Sequence, residues 1–228
     1  MNIAVILAGG TGRRLGAEIP KQYIEIAGKP VIVYSMETFA DDEAITGLQI
    51  VAEAEWRPFI EKTMYQKMKE KVLGYSQPGE NRQLSIWNAL QDLKARCREK
   101  DVIIIHDAAR PLVSERLIDD CLKACRDHDG AMAALPVKDT TYYCRDGKIE
   151  SLLDRDRLTA GQAPEAFRFG KYYRANEALL PEKILTINGS TEPAILAGMD
   201  ILCVPGEERN FKITTVADLD RFQQIMEY

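Results

Sequence analysis

Histidine is nearly absent from this chain: His106 and His128 are the only two in 228 residues. That is too few for a histidine-built zinc site. The five cysteines are odd in number and show no metal-ligand spacing, which argues against a zinc ribbon and against a disulfide framework. Cys121 and Cys125 stand four apart among Leu117, Ile118 and Leu122, the pattern of a buried helical face, and read as core thiols in a reducing compartment. No basic run marks a nucleic-acid footprint, and the net charge is −5. No apolar segment approaches transmembrane length. Ile3 to Leu7 is too short for a signal-peptide core and lacks a basic flank. The expectation is a cytoplasmic protein that binds neither nucleic acid nor membrane. Two phosphate-binding motifs are missing as well. Gly10-x-Gly12 is followed by Leu15 where G-x-G-x-x-G needs its third glycine, with Gly16 one place late. Gly28-Lys29 is followed by Pro30, which breaks the P-loop pattern.

What is present begins at residues 3–21, IAVILAGGTGRRLGAEIPK. Ile3 to Leu7 has the unalternating apolar character of a buried parallel strand. Gly9, Gly10 and Gly12 allow a sharp turn and close approach of backbone N–H groups to a ligand. Successive N–H groups in such a turn make an anion-binding concavity. Arg13, Arg14 and Lys21 add positive charge beside it. A turn that only packs is the plain alternative, and the clustered cations favour a nucleoside triphosphate instead.

The chain is 46% apolar, enough to bury a sizeable core. Helix-like segments (Val31 to Phe39, Trp56 to Lys69, Gln83 to Arg96, Leu117 to Arg126) alternate with strand-like ones (Ile45 to Val51, Val72 to Tyr75, Val102 to Ile105, Ala131 to Val137). This alternation predicts an α/β fold with a mostly parallel, Rossmann-like sheet covered on both faces. Ligands bind such sheets at the carboxyl ends of the strands. Residues 138–157 break the pattern: Thr140 to Cys144 and Lys148 to Leu152 flank Asp146-Gly147, an Asp-Gly hairpin signal. The reading is one domain, residues 1–228, with a protruding β-hairpin arm covered by a partner subunit or packed locally as a flap. Thr215 to Asp218 has the form of a capping box, and Val216, Leu219, Phe222 and Met226 fall on one face of the helix that follows.

Four further segments bear chemistry. In PGENRQLS (78–85), Gly79 and Arg82 occupy a loop, and Ser85 in the next helical turn suits a ribose, a base edge or a phosphate. In IIIHDAARP (103–111), the strand ends in Asp107, a natural partner for Mg²⁺ beside a triphosphate. Arg110 can hold a second phosphate or pair with Asp107. Around the hairpin, Thr140 and Arg155 are candidate phosphate contacts. In NFKITTVADL (210–219), Lys212 lies on an expected short strand. His106 receives no catalytic role, because fixed cations stay protonated at neutral pH.

LAGGTGRRLG with PKQY, GENRQLS, HDAARP, VKDT, DRDRLTAGQAPEAF and FKITTVADL occur in the order seen in one family. The chain resembles the cytidylyltransferases that include the 2-C-methyl-D-erythritol 4-phosphate and ribitol-5-phosphate enzymes. The resemblance spans nearly all 228 residues. It implies a glycosyltransferase-A-like nucleotidyltransferase fold, a homodimer joined by the arm, and CTP, Mg²⁺ and a polyol phosphate as ligands. It implies that Ala8, Gly9, Gly10 and Thr11 wrap the nucleotide, with Gly79 and Ser85 near base and ribose. Arg14, Lys21 and Lys212 would be the catalytic cations. Asp107, Arg110, Thr140 and Arg155 would surround the acceptor phosphate, Asp107 also facing the metal, some of them across the dimer.

The chain departs from the family on the acceptor side. Asn188-Gly189 stands where Thr-Asp is usual, and Gln162-Ala163-Pro164-Glu165 replaces Gln-Thr-Pro-Gln. HDAARP leans towards the methylerythritol enzyme; GQAPEAF and KITTVADL lean towards the ribitol enzyme. An oxidoreductase on a dinucleotide fold is disfavoured by the broken fingerprint. A silent nucleotide-binding protein is disfavoured by Arg14, Lys21 and Asp107.

Overall fold

The computed structural model describes residues 1–10 and 19–227. Thr11 and Arg14, both expected in the site, lie outside the described residues, as do Gly12, Arg13 and Gly16. The first strand, β1 (Asn2–Leu7), is the hub. It pairs in parallel with β4 (Gly47–Val51) on one side and β6 (Val102–Asp107) on the other, Val5 facing Gln49 and Ile105. Ile3 to Ile6 are fully buried, and they split between two cores by strand periodicity. Ala4 and Ile6 join the face covered by α1 (Val31–Asp41) and α5 (Glu115–Ala124). Ile3 and Val5 join the face covered by α4 (Arg82–Leu93) and α6 (Phe169–Glu177). A sheet buried on both faces explains the unalternating apolar runs.

The full sheet has seven strands in the order β11 (Ile201–Pro205), β7 (Gly130–Pro136), β10 (Thr159–Arg168), β6, β1, β4 and β5 (Val72–Ser76). Only β10 runs antiparallel to its neighbours. The mostly parallel, doubly covered sheet matches the expectation; β10, α6 and β11 were not anticipated. The segment TAGQAPEAFR carries a glycine and a proline and lacks clean alternation. It becomes a central strand because its register with β7 slips between Gln162 and Glu165, where Pro164 sits. A bulge is how a sheet accommodates a residue with no N–H to give.

Three other expectations are corrected. The helix expected over Trp56 to Lys69 is broken: α2 (Arg57–Thr63) and α3 (Gln66–Lys71) flank Met64, whose backbone is extended at φ −80°, ψ 131°. The break lets Met64 enter the same core as Ile60 and Met68. Lys212 lies on an irregular segment, not a strand. In the last helix, α8 (Val216–Glu227), Phe222 is buried and Leu219 and Met226 pack beside it, but Val216 is exposed. The capping box forms as expected: the Thr215 N–H donates to the Asp218 carboxylate at 2.8 Å, and the Asp218 N–H donates to the Thr215 hydroxyl at 3.3 Å.

The arm is a two-stranded hairpin of β8 (Tyr142–Arg145) and β9 (Lys148–Leu152). Asp146 and Gly147 both adopt positive φ, 51° and 74°, as a tight hairpin turn requires. Every residue of both strands is exposed, including Tyr142, Tyr143, Ile149 and Leu152.

The core also holds His106, at zero exposure on β6 against the Phe39 ring. Burial pushes its imidazole down to about 4, only partly countered by a hydrogen bond to the Arg110 carbonyl. An unfolded histidine titrates near 6.5. Between those values the unfolded chain binds the extra proton, so stability falls as pH drops from about 6.5 to about 4 and is flat below. The expected loss is about 3 kcal/mol. Urea unfolding across that window should show this slope in the native protein, and His106→Gln should flatten it.

Candidate active site

A cavity of about 580 Å³ opens at the carboxyl ends of β1, β4, β5 and β6. The strand order divides it into two halves.

The first half follows β1, β4 and β5. The glycine turn is anchored by the residues after it: the Gln22 side-chain amide donates to the carbonyls of Ala8 (2.6 Å) and Gly10 (2.8 Å), and the Tyr23 hydroxyl to Ala8 (3.1 Å). Gln22 and Tyr23 belong to a single 3-10 turn, Lys21–Tyr23. The Tyr23 ring is buried and stacks on Trp56 with centroids 4.3 Å apart. That turn also delivers Lys21 to the cavity, where its ammonium donates to the Ile213 carbonyl at 2.5 Å. Gly9 faces Pro78 so closely that a Cβ would lie 2.5 Å from a proline carbon. Only glycine allows the two loops to meet there.

The loop after β5 closes on itself. The Ser85 hydroxyl accepts from the Gly79 N–H and donates to the Asn81 carbonyl, both at 2.9 Å. Asn81 caps α4, accepting from the Leu84 N–H at 2.7 Å. Gly79 and Ser85 therefore line the cavity, with that N–H and the hydroxyl proton engaged in shaping the loop.

The second half centres on Asp107, at the end of β6 and 8% exposed. Three cations converge on it from three parts of the chain. Arg82 Nε, at the start of α4, is 3.1 Å from Oδ1. Lys212 Nζ and Arg110 Nε are 3.0 and 3.5 Å from Oδ2. Burial alone would raise the Asp107 pKa; the three cations outweigh it and hold the carboxyl well below the usual carboxylate range. Lys212 is fixed by its neighbours, since the Ile213 N–H donates to the Ala109 carbonyl at 2.9 Å and Arg110 Nη1 to the Asn210 carbonyl at 2.7 Å.

Of the expected residues, Gly9, Gly10, Lys21, Gly79, Ser85, Asp107 and Lys212 line one cavity. Ala8 is buried beneath it. Arg110 is not in the lining and supports Asp107 from behind. Thr140 and Arg155 belong to the arm region, outside this lining; Arg155 Nη1 donates to the Lys138 carbonyl at 3.0 Å. Arg82, a loop residue without a role on the sequence reading, is the first residue of α4. Its position at the start of a helix, three residues after Gly79, is the available signal. Glu165 and Ser190, which reach Arg82 from behind, gave no signal beyond lying in the segments that depart from the family.

Among the described residues no group of three or more His, Cys, Asp and Glu can hold a metal. Mg²⁺ takes one or two carboxylates and completes its shell with phosphate oxygens and water. Asp107 shares the cavity lining with Glu53 and Glu80, and with no three such groups clustered among the described residues the site suits an ion carried on a polyphosphate rather than a dedicated cage.

Removing the Asp107 charge leaves three cations facing one another in a mostly buried site. Asp107→Asn should lower stability at neutral pH by about 3–5 kcal/mol, read by urea unfolding. Little change would mean that the cations find other partners.

The family model for 2-C-methyl-D-erythritol 4-phosphate cytidylyltransferase matches residues 2–228. A 2-C-methyl-D-erythritol 4-phosphate cytidylyltransferase of Geobacter metallireducens is 35% identical, the match covering 95% of this chain and 93% of that one. A ribitol-5-phosphate cytidylyltransferase of Lacticaseibacillus paracasei is 30% identical over 98% and 97% of the two chains. A crystal structure of a 4-diphosphocytidyl-2C-methyl-D-erythritol synthase superposes with a TM-score of 0.80 at 27% identity, covering 99% of this chain and 98% of that one. The mainly parallel sheet, the glycine turn beside Lys21, and Asp107 held between Arg82 and Lys212 thus sit in a chain that belongs to the 2-C-methyl-D-erythritol 4-phosphate cytidylyltransferase family.

Proposed function

We propose that this enzyme transfers CMP from CTP to a polyol phosphate, with 2-C-methyl-D-erythritol 4-phosphate as the leading acceptor, and releases pyrophosphate. The observation that carries this reading is the two-halved cavity, with a glycine turn and Lys21 on one side and a carboxylate ringed by cations on the other. A phosphate oxygen of the acceptor attacks the α-phosphorus of CTP; that P–O bond forms as the bond to the β-phosphate oxygen breaks. The nucleophile is already ionised, so no strong base is needed. The difficulty is bringing anions together and stabilising charge at the five-coordinate phosphorus, which fixed cations do. Lys21 and Lys212 line the cavity for this role, and Arg14 joins them in the proposal. Mg²⁺, held by Asp107 and the triphosphate, would neutralise phosphate charge.

Ribitol 5-phosphate is the second reading, favoured by the Lacticaseibacillus relative and by the altered segments at Ala163 and residues 186–198. Five unpaired cysteines, Cys144 and Cys203 among them exposed, suit a reducing cytoplasm. No helix among the described residues is long and apolar enough to cross a membrane. The exposed apolar side chains of the arm support a homodimer in which Thr140 and Arg155 face the partner's acceptor site.

Pyrophosphate release with CTP and Mg²⁺ over a panel containing both acceptors tests the reaction and selects the substrate. Silence across the panel sinks it. Lys21→Ala should lower kcat by roughly 10²–10³-fold. Unchanged turnover at saturating substrate would remove Lys21 from the mechanism. For the arm, light scattering should give twice the chain mass for the native protein and a monomer for Ile149→Asp; a native monomer rejects the dimer.

A further inference from the structure

Glu165 does not line the cavity, yet the second half of the cavity is built on it. It is 8% exposed and lies just past the β10 bulge, opposite Ile105 of β6 and Met132 of β7. Its Oε2 accepts from the Thr191 hydroxyl at 2.6 Å. Its Oε1 accepts from the Ser190 hydroxyl and stands 3.6 Å from Arg82 Nη2. The Ser190 oxygen in turn accepts from Arg82 Nη1 at 2.5 Å, and the Ser190 carbonyl is held by the buried Tyr172 hydroxyl at 2.7 Å.

All three guanidinium nitrogens of Arg82 are therefore engaged: Nε with Asp107, Nη1 with Ser190 and Nη2 with Glu165. A planar fork held at three points cannot turn about its own axis. Its Nε edge fixes one oxygen of Asp107 and leaves the other to Lys212 and Arg110. Three cations against the two carboxylates leave one net positive charge, suited to an incoming phosphate. Asp107 and Glu165 stand on β6 and β10, across β1 from β4 and β5, and Arg82 is the member of the cluster that reaches them from the segment after β5.

We propose that Glu165 is a positioning residue of the acceptor half: acting through Arg82 it fixes Asp107 and sets affinity for the phosphorylated acceptor, without touching CTP binding. The inference rests on the cytidylyltransfer reading above. Ser190 is its intermediary, and this explains why the departing segments 162–165 and 186–198 meet at one place.

The test is steady-state pyrophosphate release by the native enzyme, Glu165→Gln and Glu165→Asp, varying CTP and the acceptor separately. Glu165→Gln keeps the shape but releases Arg82. It should raise the acceptor KM by about 10–100-fold, the scale of a misplaced binding group, with the CTP KM unchanged within about twofold. Glu165→Asp, which retains the charge, should fall between. Parallel shifts in both KM values, an unchanged acceptor KM, or loss of active enzyme at unchanged KM would make the residue merely structural and overturn the inference. If Glu165→Gln does not fold, Ser190→Ala decides: it cuts the link and should show the same split, and an unchanged acceptor KM rejects the idea. Silence of the native enzyme over the whole acceptor panel would instead bring down the reaction itself, and this inference with it.

Discussion

A carboxylate at the end of a buried strand must be compensated, and the arrangement of this molecule's site follows from that requirement at Asp107. The cost of burying its charge is offset by cations that no single stretch of chain supplies. Arg110 is local, three residues on. Arg82 arrives on α4, from the opposite face of the sheet. Lys212 arrives on a segment more than a hundred residues later, held by its backbone contact to Ala109 and by the Asn210 bonds to Arg110 and Ala163. The ion cluster thus clamps three parts of the chain around one point, and that point is the floor of the cavity.

The same economy of contacts shapes the half of the cavity that follows β1, β4 and β5. Gln22 and Tyr23 bind the carbonyls of the glycine turn, so one short 3-10 turn both anchors the loop and presents Lys21. Gly9 permits the approach of Pro78, which brings the β1 and β5 loops together. Lys21 then reaches across to Ile213, beside Lys212, so the two lysines are linked through adjacent backbone. The two halves are mechanically joined at the place where two anions would have to meet.

Much of this was legible in residue order. Strands with unalternating apolar runs had to be buried on two faces, and β1, β4 and β6 are. Asp-Gly between two strand-like segments had to turn tightly, and Asp146 and Gly147 do so. What escaped was non-local. TAGQAPEAFR has no strand signature of its own; it is a strand because β6 and β7 leave a slot between them and a bulge absorbs Pro164. The break at Met64 was hidden because Ile60, Met64 and Met68 fit a helical stripe, and only the tertiary structure shows Met64 joining that core from an extended backbone.

Sequence by itself determined the chemistry on offer: too little histidine for imidazole metal chemistry, a glycine turn flanked by cations, one carboxylate at a strand end, and membership of a cytidyl-transferring family. These are properties of residue type and local order, and local order survives without a fold. Tertiary structure decided which charges face one another. Arg82, Glu165, Ser190 and Lys212 are scattered over some 130 positions and meet only because β10 lies beside β6 and the C-terminal segment folds back over the strand ends. Electrostatic strength falls with distance and rises with burial, and both are set by the fold rather than by the order of residues along the chain.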